Sequence, residues 1–155
     1  MKHSIATVSL SGTLIEKIKA IAKAGYDGVE LFENDLTASN IRPEELSKIL
    51  KDLNLEMVGL QPFRDYEALP EPYKSRNLER AKHKFDLLHA LGSKKLFICS
   101  NTSIHTINNL DKAAEDLYDL AELAKPHGFE IGYEALSWGR FVNTYHQSVE
   151  IVKRA

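Results

Sequence analysis

The chain has 155 residues, of which 43% are hydrophobic and 27% are charged, a composition typical of one soluble globular domain. Its net charge of −2 disfavours a nucleic-acid partner, and it has no run of about 20 apolar residues that could span a membrane. Cys99 is the sole cysteine, which excludes an intrachain disulfide, and the N-terminus has no signal-peptide pattern, so we expect a cytoplasmic protein.

Strand and helix patterns alternate five times along the chain, with a repeat of about thirty residues, which is the size of a βα unit. Apolar and β-branched runs predict strands over residues 4–10, 28–32, 56–61 and 95–99, and a fifth strand that carries Glu134. A polar loop is predicted over 33–41. The segment 62–73 holds three prolines and is predicted to be an irregular loop.

The helix predictions depend on capping residues and on apolar spacing. Thr13 and Glu16 form a capping-box pattern that opens the first helix, and Thr144 with Gln147 forms another that opens the last. Pro43 suits the first turn of the second helix, where its missing N–H costs nothing. Apolar spacing predicts two more helices, over about 75–91 and about 110–125.

Two architectures accept strictly alternating βα units, namely an open doubly wound sheet and a (β/α)8 TIM barrel. Central strands of a doubly wound sheet are near-continuous apolar runs, whereas these strands carry polar residues at or near their carboxyl ends, as barrel strands do at the mouth. We therefore predict an α/β TIM barrel. A complete barrel takes about 250 residues, so the chain matches only the first five βα units, within a single domain over 1–155.

Glu134 is the strongest candidate functional residue, because it is predicted at the carboxyl end of the fifth strand. Ligands of parallel α/β proteins bind at that end of the strands, where a carboxylate has chemistry available to it. The alternative is a strand-end Glu that faces solvent or pairs with Arg140. Trp138 lies in the loop that follows, either as a wall against a substrate ring or as a side chain packed under the loop.

Three more residues are candidates for substrate binding. Arg64 follows the third strand, where its planar guanidinium can bind a carboxylate in a bidentate pair, or can pair with the neighbouring Asp65 or Glu67. Asn101 follows the fourth strand and either orients a substrate hydroxyl or caps the next turn. Glu30 in the second strand fits a ligand, an acid–base group or a salt-bridge partner, and its spacing does not decide between them.

Several common chemistries have no sequence support. The six histidines show no ligand spacing, and Gly-rich dinucleotide, Walker and nucleophile-elbow motifs are all missing from the sequence. The residues themselves identify no catalytic group.

Six segments nevertheless resemble one group of enzymes. They are residues 4–13, 28–35, 61–65, 84–88, 99–101 and 133–140, which together extend in order along essentially the whole chain. They are similar to the bacterial 3-dehydroshikimate dehydratases, which belong to the xylose-isomerase-like sugar phosphate isomerase/epimerase TIM barrels. The resemblance therefore implies the same fold that the strand pattern predicts.

The resemblance also implies a function. It implies a lyase of aromatic catabolism that removes water from 3-dehydroshikimate to give protocatechuate, with a divalent metal ion such as Mg²⁺ or Mn²⁺ that polarises the ketone. Glu134 matches the metal ligand from strand five, and Arg64 becomes a candidate clamp for the substrate carboxylate. Two alternatives stay open: a sugar phosphate isomerase or epimerase of the same superfamily, and a non-catalytic remnant.

The sequence stops at Ala155, before the region expected to supply the other metal ligands. We therefore expect the 155-residue chain by itself to have an incomplete metal site and no activity. Its expected partner is a small-molecule substrate, without nucleic acid or membrane. Five strands cannot close an eight-stranded cylinder, so we also expect self-association through the open strand edges.

Overall fold

In a computed structural model, which describes residues 1–155, five β-strands form one parallel sheet in the order β1-β2-β3-β4-β5. The strands are β1 (Ser4–Ala6), β2 (Gly28–Phe32), β3 (Glu56–Phe63), β4 (Lys95–Cys99) and β5 (Glu130–Glu134). The helices are α1 (Leu14–Lys23), α2 (Glu33–Thr37), α3 (Pro43–Asp52), α4 (Tyr73–Leu91), α5 (Leu110–Ala124) and α6 (Tyr145–Arg154). Sequential strand order with helical connections is the arrangement of a TIM barrel.

The chain divides into two compact units. The first comprises Met1–Gln61 and Asp86–Lys95, and the second comprises Pro62–Phe85 and Leu96–Ala155. None of the helices is long and apolar enough to cross a membrane.

In the first unit, β1 and β3 pair in parallel with β2 on either side. Alternate residues of β2 point to opposite faces of the sheet, so Val29 and Leu31 are buried while Glu30 between them is half-buried. The buried apolar residues of α1 and α3 include Ile18, Ile21, Leu46 and Leu50.

The predicted strand over 4–10 is too long, because β1 ends at Ala6 and a 3-10 helix follows over Thr7–Ser9. The Phe32 backbone N–H donates to Thr7 Oγ1 at 2.9 Å, so a side chain accepts this hydrogen bond. The predicted loop over 33–41 is also partly wrong. It begins with α2, whose first turn holds Glu33 and Asp35, and acidic residues are stabilising at a helix N-terminus.

In the second unit, β4 alternates in the same way, with Leu96 and Ile98 fully buried and Phe97 half-buried. The predicted loop over 62–73 is shorter than expected, because β3 continues to Phe63 and α4 already begins at Tyr73. Both predicted capping boxes are present, at Thr13 in the first unit and at Thr144 in the second. A capping box needs residues only three positions apart, which explains why sequence reasoning finds it.

Candidate active site at the strand ends of the second unit

The candidate site lies where β3, β4 and β5 end, within the second unit. We call the group formed by Asp65, Glu67, Asn101, Tyr133 and Glu134 the strand-end cluster. Asp65 and Glu67 lie just after β3, Asn101 just after β4, and the other two residues end β5. In parallel α/β proteins this end of the strands is where ligands bind.

Glu134 is the exposed member of the cluster. The Cys99 thiol donates to Glu134 Oε2 with 3.6 Å between sulfur and oxygen, so one of the two carboxylate oxygens has a protein partner. The backbone carbonyl of Glu134 accepts from the Ser100 N–H at 2.8 Å, which ties the last residue of β5 to the end of β4. The Arg140 guanidinium lies 5.4 Å from the centre of the Phe141 ring, and no ion pair joins it to Glu134.

The face that carries Glu134 is set by a close contact between β4 and β5. Gly132 leaves space for the Phe97 ring, since a Cβ at this glycine would lie 2.7 Å from a ring carbon. Glu134 is two residues further along β5 and therefore points to the same face as Gly132. Tyr133 points to the opposite face, where it lines a cavity with Ser148 and Val149 of α6.

Glu67 is the buried carboxyl group of the cluster, with 1% of its surface exposed. Its Oε1 accepts two hydrogen bonds, from the Asn101 N–H at 2.7 Å and from the Tyr133 hydroxyl at 2.9 Å. Burial raises the pKa of the Glu67 carboxyl, because the charged form loses its hydration, and the nearby Asp65 acts in the same direction. Burial likewise raises the pKa of the Tyr133 hydroxyl, with Glu67 as the next cause.

The loop that follows β3 is held in place at several points. The Asp65 carboxylate accepts from both the N–H and the hydroxyl of Thr102, at 2.9 and 3.1 Å. The Ala68 N–H donates to the buried carboxylate of Asp116 in α5 at 2.8 Å. Asp65 and Ala68 both have positive φ angles, 53° and 56°, which L-residues rarely adopt. These hydrogen bonds hold a backbone conformation that the sequence alone would not favour.

Arg64 is exposed at the start of this loop, and its backbone carbonyl accepts from Arg80 at 3.0 Å. Its alternative partners are engaged elsewhere, since Asp65 binds Thr102 and Glu67 is buried against Asn101 and Tyr133. The surface-pairing alternative for Arg64 is therefore not what the structure contains. Substrate binding by Arg64 stays a prediction.

Asn101 is buried, and both polar atoms of its amide group have hydrogen-bond partners within the protein. Its Nδ2 donates to the Glu67 carbonyl at 2.6 Å, and its Oδ1 accepts from the Ser103 N–H at 2.8 Å. The turn-capping alternative is thus present, and substrate binding by Asn101 stays a prediction. Glu30 lies half-buried in β2 of the first unit, where its predicted substrate role is likewise untested. Trp138 is 65% exposed, so of its two alternatives the one in which it packs under the loop is not what the structure contains.

A cavity of about 590 Å³ lies in the first unit, between the start of α1 and the segment after α2. Its lining includes Glu16 and Asp35, of which Glu16 is held by Thr13 and Asp35 by Lys17. None of the predicted site residues lines this cavity, so its size does not make it the candidate site.

The residues present do not form a metal site by themselves. Nowhere in the chain do three or more His, Cys, Asp or Glu side chains come together in a group that could hold a metal ion. Glu134 can supply one carboxylate ligand, and its neighbour Cys99 is a hydrogen-bond donor to it. A Mg²⁺ or Ca²⁺ site takes at least six ligands, several of them waters in the case of Mg²⁺, so one carboxylate is only part of such a site.

Sequence reasoning missed Glu67 and Tyr133. Glu67 is separated from its two donors by 34 and 66 positions, so no local spacing marks the group. From the sequence, Glu67 is expected only as a surface partner for Arg64. The burial of a glutamate inside a loop is the signal, and it becomes visible only in the folded chain.

Sequential parallel strands joined by helices, with a carboxylate at a strand end, are features of a TIM-barrel protein. The family model described as xylose isomerase-like TIM barrel matches residues 18–155, and the chain belongs to this family. Both the predicted fold and the predicted family are confirmed.

Two similar proteins show which members of this family the chain resembles. The chain is 50% identical over 155 residues to a 3-dehydroshikimate dehydratase of Pseudomonas aeruginosa, which covers 100% of this chain and 24% of that protein. A solved xylose isomerase-like TIM barrel/4-hydroxyphenylpyruvate dioxygenase fusion protein is 46% identical, with a TM-score of 0.97, over 100% of this chain and 25% of its own. The chain thus spans about a quarter of the length of these relatives, and the predicted resemblance to 3-dehydroshikimate dehydratases is confirmed.

A more distant structure shares the fold alone. The IOLI protein with a bound zinc atom is 20% identical, with a TM-score of 0.86, over 99% of this chain and 58% of its own. At this identity the likeness concerns the backbone. The zinc atom belongs to that protein.

Proposed function

We propose that the full-length protein containing this chain is a metal-dependent 3-dehydroshikimate dehydratase, a lyase that removes water from 3-dehydroshikimate to give protocatechuate. The observation that carries this proposal is the 50% identity to a named 3-dehydroshikimate dehydratase along all 155 residues. Distant epimerases of the same fold are only 18% identical, which supports no shared substrate. The dehydratase is therefore favoured over the isomerase or epimerase.

The metal ion of this proposal is Mg²⁺, Mn²⁺ or a similar divalent cation, with Glu134 as one of its ligands. A bound zinc atom in one protein of the same fold supports a metal in this kind of barrel. When bound, such an ion would act as a Lewis acid on the substrate ketone. Since this chain offers a single suitable carboxylate, the other ligands would come from elsewhere in the full-length protein.

The role proposed for Arg64 is to bind the substrate carboxylate. Its side chain is exposed, while its backbone is fixed by Arg80 and by the anchored residues that follow it. A guanidinium on a rigid backbone loses less conformational freedom when it forms a bidentate pair, which favours orientation of a small substrate. Glu30 and Asn101 are proposed as further substrate contacts; the amide of Asn101 would have to exchange one of its two present partners for the substrate.

The test is turnover by the full-length protein with and without Glu134. After removal of metal and reloading with Mg²⁺ or Mn²⁺, the wild-type protein should convert 3-dehydroshikimate into an ultraviolet-absorbing catechol acid. Glu134→Gln should lower kcat by more than about 100-fold, because even outer partners of metal ligands cost about 10- to 100-fold. Mn²⁺ binding should weaken in parallel.

Glu130→Gln is the matched control, because Glu130 lies on the same face of β5 at the other end of the strand. It should leave kcat and Mn²⁺ affinity unchanged. Wild-type protein that is folded and metal-loaded but inactive towards 3-dehydroshikimate would overturn the proposed function. Normal turnover by Glu134→Gln would overturn the ligand assignment alone.

A further inference from the structure

The Glu67 carboxyl group joins the ends of three strands. Glu67 itself lies in the loop after β3, and its Oε1 accepts from the Asn101 N–H after β4 and from the Tyr133 hydroxyl in β5. Its backbone carbonyl also accepts from Asn101 Nδ2 at 2.6 Å, so Asn101 donates two hydrogen bonds to Glu67. Removal of this one side chain would break the link to Tyr133 and one of the two hydrogen bonds to Asn101.

The residues proposed to bind the substrate and the metal ion are close to these contacts along the chain. Arg64 is three positions before Glu67, and Glu134 follows Tyr133 directly. Tyr133 and Glu134 point to opposite faces of β5, so fixing the Tyr133 hydroxyl fixes the rotation of the strand that carries Glu134. Glu67 is buried and does not meet solvent, so it is not itself a substrate contact.

Burial disfavours the charged form of the Glu67 carboxyl group, whereas the hydrogen bonds from Asn101 and Tyr133 favour it. Its second oxygen, Oε2, is buried without a hydrogen-bond partner, and the charged group acting on it is the carboxylate of Asp65. Glu67 also lines a cavity of about 10 Å³ with Asn101 and Thr106, which approaches the volume that one water molecule needs. An ionised carboxylate would leave a buried charge here without a counter-ion.

We propose that Glu67 is a positioning residue of the candidate site: its carboxyl group, shared between the Asn101 N–H and the Tyr133 hydroxyl, sets the placement of Arg64 and Glu134. This inference rests on the proposed function for its catalytic consequence. A displacement of about 1 Å at a reacting group can cost about 100-fold in rate, so a residue that never touches the substrate can control turnover.

The experiment compares Glu67→Gln, Glu67→Ala and Tyr133→Phe in the full-length protein. Glutamine keeps an oxygen that can accept both hydrogen bonds, so Glu67→Gln should keep kcat close to the wild-type value. Glu67→Ala and Tyr133→Phe lose the link and should lower kcat by about 10- to 100-fold, with weaker Mn²⁺ binding. Glu71→Gln, an exposed carboxyl in the same loop, is the control that should change neither.

All rates are measured at a temperature well below the unfolding midpoint of each variant. A merely structural Glu67 would lower the midpoint of Glu67→Ala while leaving the kcat and the Mn²⁺ affinity of the folded protein unchanged, and that result would overturn the proposal. A Glu67→Gln variant as impaired as Glu67→Ala would also overturn it, because the charge and not the shared oxygen would then be required.

A readout without substrate separates this proposal from the proposed function. Amide hydrogen exchange should become faster at residues 64–69 and 132–136 in Glu67→Ala and Tyr133→Phe, but not in Glu67→Gln. Exchange in α5 of the same unit should stay as in the wild type. If the wild-type protein has no dehydratase activity, the function fails while exchange still decides the positioning role. Unchanged exchange in both segments of Glu67→Ala would refute it.

Discussion

Asp116 provides a quantitative test of how the loop after β3 is held. Its carboxylate is 2% exposed, and its Oδ2 accepts from the Ala68 N–H at 2.8 Å. Its Oδ1 lies 2.6 Å from Lys112 Nζ and 3.0 Å from Lys74 Nζ. In Asp116→Ala the Ala68 N–H loses its partner inside the protein, and two ammonium groups lose their shared anion.

The expected loss in the free energy of unfolding follows from these contacts. A buried N–H without a partner costs about 1–3 kcal/mol. Removal of one partner from a buried ion pair costs about 3–5 kcal/mol, but both lysine side chains are 25% exposed and can turn towards water. Because of this exposure we expect a total below the sum of the two ranges, about 3 kcal/mol. For a chain of this size that corresponds to a fall of roughly 6–12 °C in Tm.

Chemical and thermal unfolding of the variants measures this loss. Asp116→Asn keeps an acceptor for the Ala68 N–H and should therefore be less destabilised than Asp116→Ala. Asp119→Ala is the control, because Asp119 also binds Lys74, at 3.0 Å, but its side chain is 41% exposed. Exposed pairs contribute about 0–1 kcal/mol. An Asp116→Ala variant no less stable than Asp119→Ala would refute the assignment of Asp116 as the anchor of this loop.

Three further predictions concern the same unit. Arg64→Lys in the full-length protein should lower kcat/KM by about 10- to 100-fold without a change in Tm, since hydrogen bonds to charged groups contribute about 1.5–3 kcal/mol; an unchanged kcat/KM would leave Arg64 without a substrate role. Gly139→Ala should destabilise by about 3 kcal/mol or more, because its Cβ would overlap the Val142 carbonyl and Ser100 Oγ. The control Gly128→Ala meets no atom within 4 Å and should lose only about 1–2 kcal/mol from its positive φ, so equal losses would contradict the steric reason. Burial raises the pKa of Glu67 above 4.5, so its contribution to stability is fully present below that pH and is lost as the pH rises towards the pKa of the folded state. The free energy of unfolding of Glu67→Gln should therefore rise relative to that of the wild type across that pH window, and a constant difference between the two proteins would contradict the shift.

The sequence predicted the elements whose signals are local. The strands β2 and β4 have the predicted bounds, since short apolar runs mark them, and both capping boxes were found because their residues are three positions apart. The strand β1 was predicted four residues too long, because the hydrogen bond to Thr7 Oγ1 comes from Phe32, 25 positions away.

In the candidate site, too, residues with a local sequence signal could be predicted and residues defined by distant contacts could not. Glu134 can be found from the sequence because it ends an apolar run, and the carboxyl end of a strand is where ligands bind in this kind of fold. Glu67 is not visible, because its importance comes from burial and from two distant donors. A glutamate in a polar, proline-containing segment is ordinarily a surface residue, and only the folded chain shows that this one is buried.

The 155-residue polypeptide on its own is predicted to self-associate and to be inactive towards 3-dehydroshikimate even with Mg²⁺ or Mn²⁺. The strands β1 and β5 are the edges of the sheet, and an unpaired edge offers backbone groups to another chain. The helix α6 adds an apolar stripe, since Tyr145, Val149 and Val152 are 68%, 48% and 54% exposed at helical spacing. Light scattering should therefore give a mass above that of the monomer.

Replacement of all three stripe residues by serine distinguishes the two surfaces as the cause of association. A monomeric variant would assign association to α6, and persistent association would assign it to the strand edges. A wild-type polypeptide that stays monomeric at high concentration would refute both, and turnover would show that its own residues suffice for the chemistry.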